Sequence, residues 1–539
     1  MAGVLEWDRP MALQQVGTLP HVADDRDPAT LMRTYVDALP PGSYVVLSHF
    51  FNPGDEDPEA AAVATGWSRR FCTARWHRPI PHARGDRHLL RRPRTHRTRL
   101  RDARPLVAGR PAGAPRPRPP PHDRRHRPQA VTPTLAPRRA RALTLLDMTT
   151  ESATSPFPPA AQRADVPPFY VMDVLSAAKA RQAERGDVVF LCAGQPTAGA
   201  PEPVLAAAQQ ALRGSDLGYT PQLGIPPLRE AIAGHYDRAY GLDVDPADVI
   251  VTTGSSGGFL LAFLAAFEVG DRVAMARPGY PAYRNLLNAL GCEVVEFATD
   301  ESTRFQPTPE ILDGLGDIKG LVVASPSNPT GTIVAPGELA TLTEWCTARG
   351  VRLISDEIYH GISYERDVAC AWQTSREALV LGSFSKYFAM TGWRLGWMLA
   401  PQALHRSVDV LTGNFNICPP ALSQHAAVAA LSPESCAELD GHVDHYRANR
   451  DLLLDGLRDI GLTRIAPIDG AFYAYVDVSE HTDDSLSWCR KLLDDTGVAI
   501  TPGVDFDPVA GGSFVRLSFA GARSDIATAV ERMGTWLRN

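Results

Sequence analysis

Lysine is the rarest charged residue in this 539-residue chain, and one of its four lysines differs from the rest. Lys179, Lys319 and Lys491 lie in polar helical or turn sequences, whereas Lys386 follows the apolar run ALVLGSF within GSFSKYFAMTGWRLGW. An amine among small, aromatic and apolar neighbours loses hydration, which lowers its pKa and makes it nucleophilic toward an aldehyde. Lys386 is therefore the first candidate for covalent chemistry.

Other polar side chains also come directly after apolar runs. Asp356 and Tyr359 follow VRLIS, and Asn328 lies in SPSNPTG after GLVVA. A carboxylate just beyond a buried strand is costly unless it meets a cation or caps a helix. An asparagine between prolines is held in a turn, and its amide can both donate and accept. These positions are candidates for binding a polar ligand.

A third pattern indicates an anion site. The sequence VIVTTGSSGGFLLAFLAAF predicts a strand, a turn of small residues and an apolar helix. Ser255, Ser256 and Gly257 would then lie at the helix N-terminus, where free N–H groups and the helix dipole favour an anion. Many α/β proteins contain similar turns, so this pattern alone is weakly specific.

The elements that must position these residues alternate along the chain. Strand-like runs occupy 248–253, 272–276, 320–325, 351–355 and 378–384, and helical stretches such as PGELATLTEWCTARG lie between them. This alternation predicts an α/β fold with a mainly parallel sheet covered on both faces. Ligands of such sheets bind outside the C-terminal ends of the strands, where the candidate residues should meet.

The lysine segment also carries a resemblance. Ser383-x-Ser385-Lys386-x-x-Ala389-Met390-x-Gly392-x-Arg394-Leu395-Gly396 matches the pyridoxal-phosphate attachment signature of class I/II aminotransferases at every specified position. The resemblance extends over residues 160–539. It implies the aspartate-aminotransferase fold (fold type I), with a large domain at about 200–425 and a smaller α+β domain from about 160–199 plus 426–539.

The resemblance implies a cofactor, pyridoxal 5′-phosphate, and roles for three catalytic residues. Lys386 would form a Schiff base with the cofactor and later move the substrate Cα proton. Asp356 would keep the pyridine nitrogen protonated, so that the ring accepts electrons from the substrate. Tyr359 would donate to the phenolic oxygen of the cofactor.

Further cofactor positions follow from the same resemblance. Ser383 and Arg394 map onto phosphate ligands, and a guanidinium suits a phosphate dianion. Ser255 and Ser256, with Gly257 in the same turn, complete the phosphate site. The aromatic residue that stacks on the cofactor ring is Tyr280 in RPGYPAY, where many relatives have tryptophan.

Substrate and partner contacts are implied as well. Arg516 in FVRLSFA aligns with the arginine that binds the substrate α-carboxylate, and Asn328 contacts both that carboxylate and the cofactor. Gly194 approaches the same carboxylate through its backbone, and Phe472 lines the substrate side. Tyr219 aligns with a tyrosine that reaches the phosphate of another subunit, which implies a homodimer with shared active sites.

The function expected is amino transfer between an L-amino acid and a 2-oxo acid. A β-lyase on the same fold uses the same lysine, so the sequence separates the two poorly. The side chain of the substrate stays open among aspartate, alanine, aromatic and branched-chain types. No metal site is expected, because the histidines and cysteines show no ligand spacing.

The region before this pattern has a different composition. Residues 69–141 contain 22 arginines, three acids and no lysine, a net charge of +19 in a chain whose total is −7. Dense prolines and few apolar residues predict disorder across about 71–147. One interpretation is a nucleic-acid-binding arm, as in a transcription regulator fused to an aminotransferase-like sensor. The favoured one is a frame-shifted or misjoined segment, with the functional protein beginning near Met148.

The first 70 residues read as folded sequence. A helix is predicted at 28–39 and a strand at 44–50. The segment HVADDRDPATLMRTYVDALPPGSYVVLSH resembles the C-terminal part of actinobacterial S-adenosylmethionine-dependent methyltransferases, but no glycine-rich turn that would hold their cofactor is present. We therefore interpret residues 1–70 as a truncated methyltransferase-like fragment without activity.

Location and partners follow from composition. The acidic remainder of the chain argues against nucleic-acid binding, and no run is long enough to span a membrane. The start, MAGVLEWDRP, lacks a basic-then-apolar export signal, and the eight cysteines are scattered. We expect a cytoplasmic protein with reduced thiols and small-molecule substrates.

Overall fold

The structure, a computed structural model, describes residues 12–16, 44–48, 160–214 and 217–539. Contacts divide the chain into two units, Met1–Thr144 and Leu145–Asn539. In the first unit, β1 (Ala12–Val16) pairs in parallel with β2 (Tyr44–Ser48), which confirms the strand predicted at 44–50. The helix predicted at 28–39 and the disorder predicted at 71–147 lie outside the described residues.

The second unit contains twelve further strands among its described residues. They are β3 (Val189–Phe190), β4 (Val249–Thr252), β5 (Arg272–Arg277), β6 (Glu293–Ala298), β7 (Gly320–Ala324), β8 (Arg352–Asp356), β9 (Leu379–Ser383), β10 (Gly396–Leu399), β11 (Tyr473–Asp477), β12 (Val498–Ala499), β13 (Thr501–Pro502) and β14 (Phe514–Ser518).

Twelve α-helices are described in the same unit. They are α1 (Tyr170–Arg185), α2 (Glu202–Gly214), α3 (Pro226–Tyr240), α4 (Gly254–Ala266), α5 (Pro281–Leu290), α6 (Pro309–Asp313), α7 (Pro336–Arg349), α8 (Gln402–Phe415), α9 (Ala421–Ala430), α10 (Pro433–Asp459), α11 (Ser485–Thr496) and α12 (Arg523–Leu537). Several begin with proline at the first turn and end at a left-handed glycine, such as Gly291 after α5 and Gly350 after α7.

The large sheet has seven strands in the order β4-β10-β9-β8-β7-β5-β6. Six of them run parallel, and β10 is antiparallel to both of its neighbours. All five strands predicted from apolar runs are present in this sheet. Helices connect the consecutive parallel strands from β4 to β8, whereas the link from β8 to β9 contains no α-helix. Because these strands are parallel, their C-terminal ends meet at one edge, as the alternating pattern predicted.

The strands of the large sheet are apolar on both faces. Alternate residues of one strand enter different cores: Val249 and Val251 face one, whereas Ile250 faces the other. Helices cover both faces, which explains why these strands read as continuous apolar runs rather than alternating ones. The helix α4 is apolar on all sides because it lies inside the second of these cores.

A smaller sheet lies toward the C-terminus of the chain. Its strands β11, β14 and β13 are antiparallel, with Tyr475 opposite Arg516 and Thr501 on the other side of Arg516. The pair β12–β3 continues this region with parallel pairing. Helices α10, α11 and α12 share its apolar core with the fully buried Phe472. This sheet positions the candidate residues of the C-terminal segment.

Membrane-spanning helices and the state of the cysteines can be judged for the described residues. No helix in the described ranges is long and apolar enough to cross a membrane. The seven cysteines that the structure describes are all free thiols, and five of them are buried. The five buried thiols belong to the apolar cores of the protein.

Candidate active site

The C-terminal edge of the large sheet brings three predicted segments together. Asp356, the last residue of β8, pairs in register with Ala324 at the end of β7 and with Leu381 in β9. The loop that carries Asn328 therefore leaves the sheet on one side of Asp356, and the segment that carries Lys386 leaves it on the other. This arrangement follows from parallel strands ending together.

Lys386 is half-buried within this cluster, and its amine points at the backbone. Its Nζ donates to the carbonyl oxygen of Gly194 at 2.7 Å and lies 5.4 Å from the centre of the Tyr359 ring. Burial, together with the cationic Arg516, lowers the pKa of Lys386 to about 8. Near pH 8, a substantial fraction of the molecules therefore carries Lys386 as an uncharged amine, which is the nucleophilic form.

Asp356 is 3% exposed and is held by neutral donors rather than by a cation. The Tyr283 hydroxyl donates to Oδ2, and the Ile358 N–H donates to Oδ1 at 3.1 Å. Burial raises the pKa of Asp356 to about 6, against the opposing effect of these hydrogen bonds. A buried carboxylate in this state gains from a cationic partner, such as a protonated ring nitrogen.

Arg516 is 3% exposed and bonds only to uncharged acceptors. Its Nη1 donates to Asn328 Oδ1 at 2.8 Å, and its Nη2 donates to Cys192 O at 2.8 Å and to Thr501 Oγ1 at 3.3 Å. Its Nε has no hydrogen-bond partner within the described ranges. A buried guanidinium with an unused donor and no paired acid suits a ligand carboxylate.

Aromatic rings surround this guanidinium and the lysine. The Tyr473 and Phe506 rings lie 4.4 and 4.7 Å from the Arg516 guanidinium carbon. Phe472 is fully buried, with its ring centre 6.0 Å from Lys386 Nζ and its edge against Tyr359. These rings form an apolar wall around two cationic groups, which strengthens electrostatic interactions there.

Residues of the predicted anion site lie together at the N-terminus of α4. Gly254 begins the helix with a φ of 67°, and a Cβ on it would lie 2.6 Å from Arg394 Nη2. The guanidinium therefore stands directly beside the first turn, which contains Ser255 and Ser256. Arg394 Nη1 donates to Thr391 O at 3.1 Å, and no acid pairs with it within the described ranges. The Arg394 guanidinium and the positive end of the α4 dipole together suit a phosphate dianion.

Three other predicted residues lie around this cluster. Ser383 ends β9, is buried and accepts from the Ser385 N–H at 3.1 Å. Tyr280 lies where β5 meets α5, with its ring edge-on to Phe169 at 5.8 Å; burial raises the pKa of Tyr280 to about 12. Gly257 lies in the first turns of α4. Tyr219 is not brought into the cluster, since its side chain is 83% exposed.

Two tyrosines that the sequence interpretation did not select belong to the site. Tyr283 donates to Asp356, and the Tyr473 hydroxyl lies 2.6 Å from that of Tyr359. Tyr283 lies three residues after Tyr280, and Tyr473 lies directly after Phe472; only the first residue of each pair was predicted from the sequence. These contacts join residues 73 and 114 positions apart, so no local sequence pattern could reveal them.

No group of three or more histidine, cysteine or acidic residues within the described ranges could hold a metal ion. His360, whose side chain is 8% exposed, bonds through Nδ1 to the Tyr240 hydroxyl at 2.7 Å. Burial lowers the pKa of His360 to about 3, so this ring is neutral. The polar chemistry of the site therefore rests on the lysine, arginine, aspartate and tyrosine side chains described above.

Comparison with known proteins agrees with this geometry. A family model described as aminotransferase class I and II matches residues 186–533, and one described as S-adenosyl methyltransferase matches residues 1–79. A valine–pyruvate aminotransferase of Mycobacterium tuberculosis is 63% identical over 380 residues, which cover 70% of this chain and 98% of that protein. An aspartate/prephenate aminotransferase of Thermus thermophilus is 35% identical over 64% of this chain and 90% of that protein.

Solved structures give the same result for the fold. An aminotransferase from Mycobacterium tuberculosis matches with a TM-score of 0.70 and 62% identity, over 71% of this chain and all of that one. The aspartate aminotransferase from Thermus thermophilus with maleate matches with a TM-score of 0.67 and 33% identity, over 70% and 100%. Both predicted resemblances and the predicted fold type I are confirmed by these matches.

Proposed function

Because the chain belongs to the class I and II aminotransferase family, we propose that it transfers the amino group of a small aliphatic L-amino acid to a 2-oxo acid, with pyridoxal 5′-phosphate held at Lys386. Membership of the family makes the chain an amino-acid aminotransferase; the cofactor, the residue roles and the substrate are the proposal. The observation that carries it is the half-buried Lys386, whose Nζ donates to Gly194 O beside the Tyr359 ring and whose pKa is lowered by burial.

The residues present fit this cofactor. Arg394 and the first turn of α4 would hold its phosphate, with Ser255, Ser256, Gly257 and Ser383 as further ligands. Asp356 would face its ring nitrogen, Tyr359 and Asn328 its phenolic oxygen, and Tyr280 its ring face. When bound, pyridoxal phosphate supplies an aldehyde for the lysine and a ring that withdraws electrons from the substrate Cα.

The protein's own groups move the proton. The Lys386 amine, with its pKa lowered by burial, acts as a general base for the Cα proton and returns that proton as a general acid. Asp356 would stabilise positive charge at the ring nitrogen, since within the described residues it forms no ion pair. The aromatic wall formed by Phe472 and Tyr473 excludes water from these charges.

Arg516 and Asn328 would bind the substrate α-carboxylate together. The unused Nε of Arg516 adds a donor to the planar fork that a carboxylate prefers, and Gly194 lets the ligand approach the backbone. Held in this way, the amino acid presents its Cα–H bond close to Lys386. Such positioning lowers the activation barrier, because the reacting groups are already held in the correct orientation.

The proposed preference for an aliphatic, monocarboxylic substrate rests on two observations. The two arginines nearest to Tyr280 in sequence are already paired: Arg277 with Asp507 at 3.3 Å and Arg284 with Glu296 at 2.8 Å. Neither is free to receive a second substrate carboxylate. The Mycobacterium tuberculosis relative at 63% identity carries the name valine–pyruvate aminotransferase, which supports valine as donor and pyruvate as acceptor.

We also propose that two copies of the chain form a dimer. Tyr219, Phe415 and Ile417 are 83, 57 and 49% exposed, which is unusual for large apolar side chains. The segment of Tyr219 touches the end of α8, since a Cβ on Gly413 would lie 2.7 Å from Gln222 Nε2. A second copy covering this face would allow Tyr219 to reach the partner's phosphate site. A cytoplasmic location stays a prediction.

The experiment begins with the full chain incubated with pyridoxal phosphate and treated with borohydride, which should fix the label on Lys386. Valine, alanine, aspartate and phenylalanine are then tested as donors with pyruvate and 2-oxoglutarate. We expect valine with pyruvate to give the highest kcat/KM. Repeated release of ammonia and pyruvate from one amino acid would instead indicate a β-lyase, and a preference for aspartate would contradict the aliphatic assignment.

A further inference from the structure

The hydroxyl of Tyr473 lies between the proposed cofactor contact and the backbone near Lys386. Tyr473 begins β11, is 1% exposed and has its Oη 2.6 Å from Tyr359 Oη. A side chain on Gly194 would overlap this hydroxyl, so the glycine permits the close approach. Neither the motif nor the family comparison singles out this residue, yet it contacts three parts of the site.

The ring of Tyr473 lies against the arginine proposed to bind the substrate. The guanidinium carbon of Arg516 is 4.4 Å from the ring centre, within the range of a cation–π interaction. One side chain thus supports Arg516 through its face and meets Tyr359 through its hydroxyl. Because Arg516 lies on β14, which pairs with β11, the contact is fixed by the sheet register.

We propose that Tyr473 is a positioning residue, whose hydroxyl donates to Tyr359 Oη and so directs the Tyr359 proton toward the cofactor pocket. The inference rests on the proposed function, because it concerns the donor to the cofactor's phenolic oxygen. Two hydroxyls 2.6 Å apart share one proton, and the second proton must point elsewhere. If Tyr473 donates, the free proton is that of Tyr359.

The electrostatic surroundings support this direction of donation. Burial raises the pKa of Tyr359 well above its ordinary value and also raises that of Tyr473, and the cation of Arg516 opposes both rises. This cation lies directly against the Tyr473 ring, 4.4 Å from its centre. The more acidic phenol is the better donor in such a pair. The other charged or titratable groups facing the pair are Lys386, Asp356, Tyr280 and Tyr283.

The test is the pH titration of the visible absorbance of the resting holoenzyme, which needs no substrate. Without the Tyr473 hydroxyl, Tyr359 donates less strongly, so more negative charge stays on the phenolic oxygen. The proton on the lysine-bound nitrogen is then held more tightly. We expect Tyr473→Phe to raise the pKa of the lysine-bound cofactor by about 0.5 to 1, the size expected for one hydrogen bond.

Matched variants separate this effect from a general loss of structure. Tyr475→Phe removes a hydroxyl from the same strand that is equally buried and has no partner within the described ranges, and it should leave the titration unchanged. Tyr359→Phe should shift the pKa in the same direction and further. In a Tyr359→Phe background, Tyr473→Phe should add no further shift, because it acts through Tyr359.

A second substitution covers the case in which Tyr473→Phe folds poorly. Fluorotyrosine at 473 keeps the shape and makes the hydroxyl more acidic, so it should lower the same pKa. An unchanged titration in folded Tyr473→Phe, or a shift in the downward direction, would overturn the inference. If the wild-type chain forms no coloured holoenzyme at all, the proposed function fails instead, so the two failures are distinct.

Discussion

Arg516 Nη1 donates to Asn328 Oδ1 at 2.8 Å, and this bond joins two residues 188 positions apart in sequence. Arg516 lies on β14 of the small sheet, whereas Asn328 lies in the loop after β7 of the large one. The proposed carboxylate site therefore forms only when both sheets are in place. Any change in their relative position would alter the geometry with which a substrate carboxylate is held.

Replacing this arginine tests the carboxylate site. Arg516→Lys keeps the charge but removes the planar fork and the bond to Asn328, so KM for the amino acid should rise by about 10- to 100-fold. The absorbance of the holoenzyme should stay, since Arg516 is assigned to the substrate. Arg349→Lys, which changes an exposed arginine paired with Asp313, is the control. An unchanged KM would argue against the assignment.

The second prediction concerns the nucleophile. Lys386→Ala should lower kcat/KM by at least about a thousandfold and abolish borohydride labelling, because the same amine binds the cofactor and moves the proton. Lys319→Ala removes an exposed lysine that pairs with Asp317 and should retain both properties. Peptide mass spectrometry locates the borohydride-fixed label. A label that persists in Lys386→Ala would show that the cofactor is attached to another residue.

The lowered pKa of Lys386 predicts a pH dependence for cofactor addition. Only the uncharged amine attacks an aldehyde, and with a pKa of about 8 its fraction rises from about a tenth at pH 7 to about nine tenths at pH 9. The rate of colour formation after adding pyridoxal phosphate should therefore rise about tenfold between these values and then level off. A rate that keeps rising beyond pH 10 would indicate an ordinary, hydrated lysine.

Asp356 makes a prediction about the stability of the cofactor-free protein. Its pKa is raised from 3.8 to about 6, so the folded state holds this proton more tightly than the unfolded state. The free energy of unfolding should therefore fall as pH rises from about 4 to 6, by up to about 3 kcal/mol. Asp356→Asn carries no charge and should lose this part of the pH dependence.

Urea unfolding of the cofactor-free protein at pH 4.5 and 7.5 measures this difference. At pH 7.5 Asp356→Asn should be the more stable protein, although it should bind the cofactor productively far less well. Asp317→Asn, at a carboxylate that is 85% exposed, should leave the pH dependence as it is in the wild type. A wild-type protein whose stability does not change through this range would show that the buried carboxylate is compensated in another way.

Residues that directly follow the strands were predictable, whereas contacts between distant segments were not. Apolar runs come immediately before Lys386, Asp356 and Asn328, and parallel strands end at one edge of a sheet. The pattern of apolar runs was therefore enough to predict that these three residues lie close together. The motif around Lys386 then identified Arg394. The structure confirms that Arg394 lies beside α4, which spacing alone could not fix.

Tyr283 and Tyr473 show where the sequence stops being sufficient. Tyr283 reaches Asp356 from α5 and Tyr473 reaches Tyr359 from β11, over separations of 73 and 114 residues. Such contacts depend on helix rotation and on strand register. A shift of one residue in the β11–β14 pairing would turn Tyr473 to the opposite face of the small sheet, away from Arg516 and Tyr359.

Mixed dimers can test whether the exposed Tyr219 acts in the site of the other subunit. If Tyr219 serves the partner's site, Tyr219→Ala and Lys386→Ala should each be poorly active alone. In a dimer of the two variants, one site combines the intact Lys386 of one copy with the intact Tyr219 of the other. Random reassortment makes half of the dimers mixed, with one working site of two, so about a quarter of wild-type activity should return. A tyrosine that served its own site, or only packing, would restore no such fraction, and light scattering of each variant would show whether the dimer itself had been lost.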